Sequence, residues 1–362
     1  MNLKYQFYRA YYEGFDPRWF AGEMQQKLEE YNKSCFESVN NRIVNYKARK
    51  EVLDAWLFTK EQFGDDFRQI LLKTTYPGLL SGTGYTHETG HVGEVKIGFY
   101  FDHTSGLPIL PGHSVKGALR SVFPRAGAKL NSDEHKDVKR AKAEYILDLL
   151  GDAATSLPDD SDKRYRWVQK LEAQIFDGVY TDDGGTEVYS RRDIFLDAQI
   201  AQAAKSGCIL GLDYITPHKE IWKNPIPLLF LKVLPGVSWA FSFLLYDTVI
   251  EGVEISVEKK LDLFENILLQ QGAGAKTGVG YGRFESLRPQ SFKQGQKLSG
   301  TIKQVDVGDN RVFIEIEGCP DVKSIQVPRK KIDRFHRGKS VLVEVKRVNE
   351  DGSIRAIGLA KE

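Results

Sequence analysis

The 362-residue chain has only three cysteines, and no two of them stand in a C-x-x-C spacing. Cys35, Cys208 and Cys319 therefore argue against both a disulfide framework and a cysteine-based zinc site, and fit buried thiols in a reducing compartment. Long apolar runs are also missing. The longest candidate, 227–246, is interrupted by Lys232, Pro235 and Gly236, which predicts two buried strands joined by a Pro-Gly turn and no membrane contact. Residues 1–15 are aromatic and charged, unlike a secretory signal with its basic start and apolar run, so the expected location is the cytoplasm. A large net charge is lacking too, at +2 overall, but the balance is uneven. From Arg288 onward there are 16 Lys and Arg against 10 acids, whereas residues 1–287 carry 35 against 39. A mildly acidic body with a basic tail implies an acidic partner for the tail. With 41% hydrophobic and 28% charged residues, the composition is that of a globular protein long enough for two or three domains.

Glycine is plentiful, and it gathers in two informative places. In the run from Leu110 to Arg120, Pro111 and Gly112 predict a turn and Ser114 an N-cap, whose helix end favours anions. Val115, Leu119 and Val122 would face inward, with His113 beside them in sequence. Lys116 and Arg120, at i and i+4, lie about 100 degrees round the helix from that stripe, and Gly117 leaves the backbone open to a ligand. The second run, Gly272 to Gly282, holds five glycines among small or polar residues. Its backbone is free to take positive φ and present N–H groups in a concavity, with Lys276 as a point charge and Tyr281 as a stacking face. It is not a nucleotide-binding P-loop, because Ala275 and Gln270 stand where that motif needs glycine. The order helix, loop, strand is also the reverse of what such a loop requires.

Asp16 and Pro17 predict a helix start, and Phe20, Met24, Tyr31, Cys35 and Val39 continue at helical spacing, giving one or two helices over 17–58. A strand is expected at 69–80. A helix follows within 131–177, with Val138, Ala141, Tyr145 and Leu149 on its buried face and a polar loop at 158–162. Strands are expected at 194–200, 208–215, 226–234 and 238–246, then a helix at 258–271 and a strand at 281–287. Strand, helix, strand, strand, helix, strand is the ferredoxin-like order, often used to bind RNA. The fold class expected is therefore α+β, an N-terminal helical extension at 1–68 leading into a ferredoxin-like body with helical insertions at 69–287. Residues 288–362 show five short alternating segments and predict a small barrel of the OB or S1 type. The basic cluster Arg329, Lys330, Lys331, Arg334, Arg337 and Lys339 falls between its third and fourth strands. With few aromatics there, among them Phe313 and Phe335, phosphate contact is favoured over base stacking.

The segment Pro108-x-x-Pro111-Gly112-x-Ser114-x-Lys116-Gly117-x-x-Arg120 and the loop from Gly272 to Phe284 together resemble the RAMP proteins of CRISPR effector complexes. Phe195-Leu196-Asp197-Ala198, Thr216-Pro217-His218 and Asn224-Pro225-Ile226-Pro227 look most like the sixth subunit of the type III-B (Cmr) complex. The resemblance covers roughly 70–287. It implies a non-catalytic subunit that binds the CRISPR RNA backbone toward its 3′ end, with target RNA and other Cmr subunits as partners and no small-molecule cofactor. It further implies that Gly112, His113, Ser114, Lys116 and Arg120 meet guide phosphates, and that Gly274, Lys276, Thr277, Gly278 and Tyr281 close over the same strand. His218 and Lys219 would lie on a projecting thumb spanning 214–224. His113 departs from the serine common in relatives, and the barrel-like tail is not a usual part of the family.

Three other readings compete. His87-Glu88-Thr89-Gly90-His91 matches the H-E-x-x-H zinc-protease pattern, but that geometry requires a helix, and each glycine in or beside it costs a helix about 1 kcal/mol. A loop without a metal is expected. A RAMP-type endoribonuclease would use Asp213 or Glu220, or His113, His218 and Tyr214, although no spacing pairs them. A module that docks only to proteins would lack the steep salt dependence of phosphate contacts.

Overall fold

The computed structural model describes the whole chain except residues 23–25, 126–135, 216–226, 288–291, 293, 317–318, 320–321, 350–353 and 361–362. It divides into two compact units, Met1–Ser286 and Leu287–Glu362. Among the described residues no helix is long and apolar enough to cross a membrane.

The first unit opens with α1 (Leu3–Tyr8), α2 (Gln26–Val44), α3 (Lys50–Asp54) and α4 (Lys60–Phe63). Asp16 does start a helical turn, accepting from the Arg18 N–H, but this is a 3-10 turn, Pro17–Ala21, ended by Gly22 at φ 82°. The helices expected over 17–58 are thus one long helix among short turns. Its buried face is Leu28, Asn32, Phe36, Val39, Asn40 and Ile43, while Tyr31 is exposed. Two asparagines on that face escape an apolar count. Each is hydrogen-bonded, Asn32 accepting from the Asp16 N–H at 2.8 Å, and Asn40 lying between the Tyr11 hydroxyl at 3.0 Å and the Gly93 carbonyl at 2.9 Å. Leu3, Phe7, Tyr11 and Phe36 share one apolar cluster with the strands that follow, so residues 1–68 are packed into the body.

Next come β1 (Phe67–Thr74), β2 (Ile109–Leu110), α5 (Gly112–Arg120), α6 (Lys136–Leu150) and α7 (Ser161–Asp177). On α6 the buried residues are Ala143, Ile146, Leu147 and Leu150, whereas Val138 is exposed. The buried stripe therefore lies part of a turn from the expected one. β3 (Val179–Thr181), β4 (Glu187–Tyr189), β5 (Ile194–Phe195), β6 (Ala198–Gln202), β7 (Leu210–Ile215), β8 (Leu228–Val233) and β9 (Ser238–Leu244) follow. The unit closes with β10 (Thr248–Ile250), β11 (Val253–Ile255), α8 (Val257–Gln271) and β12 (Phe284–Ser286).

The main sheet runs β12-β1-β9-β6-β2, with β5 also on β9. Its pairs are antiparallel, with Ile70 opposite Phe241 and Leu72 opposite Trp239. Leaving out the two-residue β2 and β5, its strands thus lie in the order last, first, third, second, with α5 after the first and α8 after the third. β9 is buried at six of its seven positions, as expected for a strand covered on both faces. Phe264 of α8 packs 5.5 Å from Phe243 and 5.6 Å from Phe195. Pro235 and Gly236 do connect two buried strands, but these join different sheets: β8 pairs with β7 from Leu210↔Val233 to Ile215↔Leu228, while β9 lies in the main sheet.

The second unit has β13 (Lys297–Asp306), β14 (Arg311–Ile316), β15 (Lys323–Gln326), β16 (Ser340–Val348) and β17 (Ile354–Leu359). They form one antiparallel sheet in the order β15-β14-β13-β16-β17, nearly closed into a barrel, around Ile302, Val312, Ile314, Val343, Val345 and Ile354. Alternation of buried and exposed positions on β14 is the period-2 pattern that made these strands readable.

Candidate nucleic-acid interface

The α5 segment is a helix, but its cap differs from the one expected. Pro111 occupies the N-cap, and Ser114 is the third helical residue with no capping bond. The Gly112 N–H instead donates to Asp197 Oδ1 at 2.7 Å, placing a carboxylate from the β5–β6 junction at the positive helix end. Gly112 is buried, and a Cβ there would stand 2.2 Å from the Phe195 carbonyl. Its role is therefore close packing of the helix on β5 rather than contact with a ligand. His113 and Gly117 are exposed and Ser114 half-buried, with the His113 ring 6.5 Å from that of Tyr100.

Lys116 and Arg120, expected to reach phosphates, are engaged within the chain. Lys116 Nζ donates to the Phe176 carbonyl at 2.6 Å, and burial lowers its pKa from the ordinary lysine value. Arg120 donates to both Asp177 carboxylate oxygens, at 2.9 and 2.6 Å, and to Glu172, with its guanidinium 5.5 Å from the Phe176 ring. The two cations hold α5 to the C-terminal turn of α7, where the helix dipole favours positive charge. Arg120→Ala is expected to lower stability by about 1–3 kcal/mol, and Lys116→Glu to destabilise as well by setting a carboxylate near Glu172 and Asp177. Urea unfolding checks both, and unchanged midpoints would show that these cations carry no structural load.

The glycine-rich loop is open where a strand could meet it. The N–H groups of Ala273, Ala275, Val279, Gly280, Tyr281 and Gly282 donate to protein carbonyls. Those of Gly274, Lys276, Thr277 and Gly278 have no such backbone acceptor among the described residues. Lys276 is exposed and sits at φ 58°, in the left-handed region that non-glycine residues seldom occupy. A Cβ on Gly278 would meet nothing within 4 Å. An ammonium and several free amides thus share one exposed turn, the arrangement that holds an anion.

Tyr281 departs from expectation. It is only 8% exposed, packs 5.8 Å from Phe230 and donates its hydroxyl to Asp213 Oδ2 at 2.8 Å. Burial, and then the Asp213 carboxylate, push its pKa up. It offers no free stacking face. Asp213 also accepts from Lys232 Nζ at 2.5 Å. Burial pushes the Asp213 carboxyl up, but the bonds from Lys232 and Tyr281 outweigh it, and the net direction is down. His218 and Lys219, with Glu220, lie outside the described residues. In the tail, Arg329, Lys330, Lys331 and Arg334 are exposed on a 3-10 turn, Arg329–Arg334, anchored by buried Ile332. That turn lies between β15 and β16.

The H-E-x-x-H stretch is a loop. His87 Nε2 donates to the Phe7 carbonyl at 2.7 Å and its ring stacks 3.7 Å from that of Tyr11, while His91 Nδ1 donates to the Val92 carbonyl at 2.7 Å. Burial lowers the His87 pKa. His87 thus docks on the N-terminal segment, and the His91 ring meets that of Trp19 at 4.6 Å.

A family model described as the RAMP superfamily matches residues 71–285. The chain belongs to this superfamily. The match holds both glycine-bearing segments, the β7–β8 pair and the whole main sheet apart from its last residue, Ser286, and the start of β1. A curated relative, the CRISPR system Cmr subunit Cmr6 of Pyrococcus furiosus, is 27% identical over an alignment 203 positions long that covers 49% of this chain and 58% of the relative. The chain therefore spans a little over half the length of that RAMP relative. Among solved structures, one described as the type III-B Cmr-beta bound to cognate target RNA aligns over 78% of this chain and 84% of its own, at 20% identity and a TM-score of 0.45. Cmr6 from Pyrococcus furiosus aligns over 61% and 97%, at 21% identity and a TM-score of 0.35.

Two contributions escaped sequence reasoning. Asp197 stands 85 residues from the helix it caps, and Glu172 and Asp177 stand more than 50 residues from Arg120. No local spacing announces either.

Proposed function

We propose that this RAMP protein is a non-catalytic, RNA-binding subunit of a type III-B (Cmr) CRISPR effector complex, acting in the cytoplasm with guide RNA, target RNA and other Cmr subunits. In this reading it holds the guide backbone toward its 3′ end. The observation that carries the reading is the turn at exposed Lys276, where the N–H groups of Gly274, Lys276, Thr277 and Gly278 have no backbone acceptor among the described residues. Membership in the superfamily and likeness to Cmr6 supply the context. The strand order of the main sheet supports a ferredoxin-like body, and the order of the tail sheet, with a helical turn between its third and fourth strands, supports an OB-type barrel. The engagement of Asp213 by Lys232 and Tyr281 supports a structural rather than a catalytic role for that carboxylate, since a general acid works best with a pKa near neutrality.

Lys276→Glu is expected to weaken guide RNA retention about equally across sequences and to lower the salt slope of binding by about one. Salt-titrated binding of the full chain measures both. Unchanged affinity and slope would sink the proposal.

A further inference from the structure

We infer that a tyrosine-lined cavity formed by the N-terminal segment and the loops around Tyr85 and Tyr100 is a stacking site for one unpaired RNA base, with guanine the best fit. The inference rests on the RNA-binding reading above but concerns a different surface, built in part from residues that precede the family match.

The cavity, about 860 Å³ in volume, is lined by Tyr8, Tyr12, Tyr85 and Tyr100, with Lys4 and Arg9 on the same wall. That volume falls within the usual range for small-ligand sites. Tyr85 is 73% exposed and Tyr12 38%, so large aromatic faces stand open to solvent. Tyr85 is nevertheless held in place, because its ring meets the edge of Tyr8 at 5.1 Å, and the Tyr8 hydroxyl is tied to the Phe99 carbonyl at 3.0 Å. A rigid aromatic with a free face is how sequence-tolerant proteins grip single-stranded bases. Arg9 is exposed, and Lys4, whose Nζ donates to His103 Nδ1 at 2.5 Å and lies 5.9 Å from the centre of the Tyr8 ring, adds a second cation to the lining for an attached phosphate.

Glu88 also lines the cavity, and its Oε1 accepts from the Thr86 hydroxyl at 3.1 Å. A carboxylate there accepts the adjacent N1–H and N2–H of guanine and repels the carbonyl oxygens that flank N3–H of uracil. The Tyr100 ring lies 6.5 Å from that of exposed His113 at the start of α5, so the cavity adjoins the helix of the candidate interface. Open rings, cations and a carboxylate acceptor together fit a nucleotide better than an apolar peptide.

The test uses the full chain with two single-stranded probes, an oligouridylate and the same oligomer carrying one guanine. Tyr85→Ala is expected to weaken binding of the guanine probe about tenfold, the scale of one base–aromatic stack, while Tyr85→Phe retains it. Glu88→Gln is expected to erase the preference for the guanine probe, weakening its binding while oligouridylate, freed of the carboxylate's repulsion, binds at least as well as before. Tyr85 is exposed, so the variants keep the fold, and circular dichroism confirms it. If Tyr85→Ala leaves affinity unaltered while Lys276→Glu lowers it, the stacking site is overturned and the RNA-binding reading stands. If the unsubstituted chain binds neither probe, or neither variant changes affinity, both fail. If Tyr85→Ala releases a partner subunit but not RNA, the cavity is a protein-docking surface and the inference is overturned.

Discussion

Lys260→Ala is expected to lower the unfolding free energy of the body by about 3–5 kcal/mol, the cost of leaving one member of a buried ion pair alone. Lys260 and Asp193 both have fully buried side chains. The ammonium donates to both Asp193 oxygens, at 3.0 and 2.7 Å, and to the Tyr246 carbonyl at 2.5 Å. Asp193 Oδ1 in turn accepts from the Tyr246 N–H at 3.1 Å. Burial pushes the Asp193 carboxyl up, and Lys260 partly offsets this. The group ties α8 to the residue before β5 and the segment after β9, joining three pieces of chain that are distant in sequence. Removing the ammonium strands a carboxylate where water cannot reach it. The double variant Lys260→Met, Asp193→Leu is expected to recover part of the loss, because it removes the stranded charge as well. Urea unfolding measures both, and a single-variant loss below about 1 kcal/mol, the range of an exposed pair, would show that the group is solvated.

Gly282→Ala is expected to cost about 1–3 kcal/mol from backbone strain alone, and to lower RNA retention with it. Gly282 sits at φ 69°, and a Cβ would stand 1.9 Å from the Ala273 carbonyl. The neighbouring bonds, Ala273 N–H to Gly282 carbonyl at 3.0 Å and Gly282 N–H to Gly78 carbonyl at 2.8 Å, close the base of the glycine-rich loop. Opening that base displaces the Lys276 turn. Gly278→Ala makes the contrast, because the space around it is open. Its stability is expected to stay unchanged while RNA retention falls, since the added methyl stands between the backbone and an approaching phosphate. Thermal melts and guide retention separate the two variants. Equal effects on both quantities in both variants would show that the loop acts only through the fold.

Much of the fold could be read from pattern because local physics sufficed. In the strand Arg311–Ile316 every second residue, Val312, Ile314 and Ile316, is apolar and buried, and α8 starts at a serine cap and ends at a glycine of φ 78°. The stripe on α6 was misread because its many charged residues leave two adjacent faces with similar apolar content. Packing against α7 and α8 selected Ala143, Ile146 and Leu147 over Val138 and Tyr145. On α2 the buried asparagines were hidden because their partners, Asp16 for Asn32 and Tyr11 and Gly93 for Asn40, come from outside the helix.

The candidate site divides along the same line. By itself the sequence determined the two glycine-bearing segments, the superfamily they mark, the α+β order and the basic tail, because glycine spacing, periodicity and charge are local properties. Only the tertiary structure decided which of the marked residues are free. It turned Lys116 and Arg120 inward to α7, buried Tyr281 against Asp213 and left Lys276 in the open, because a charge pairs with whatever the fold brings beside it, however distant in the chain.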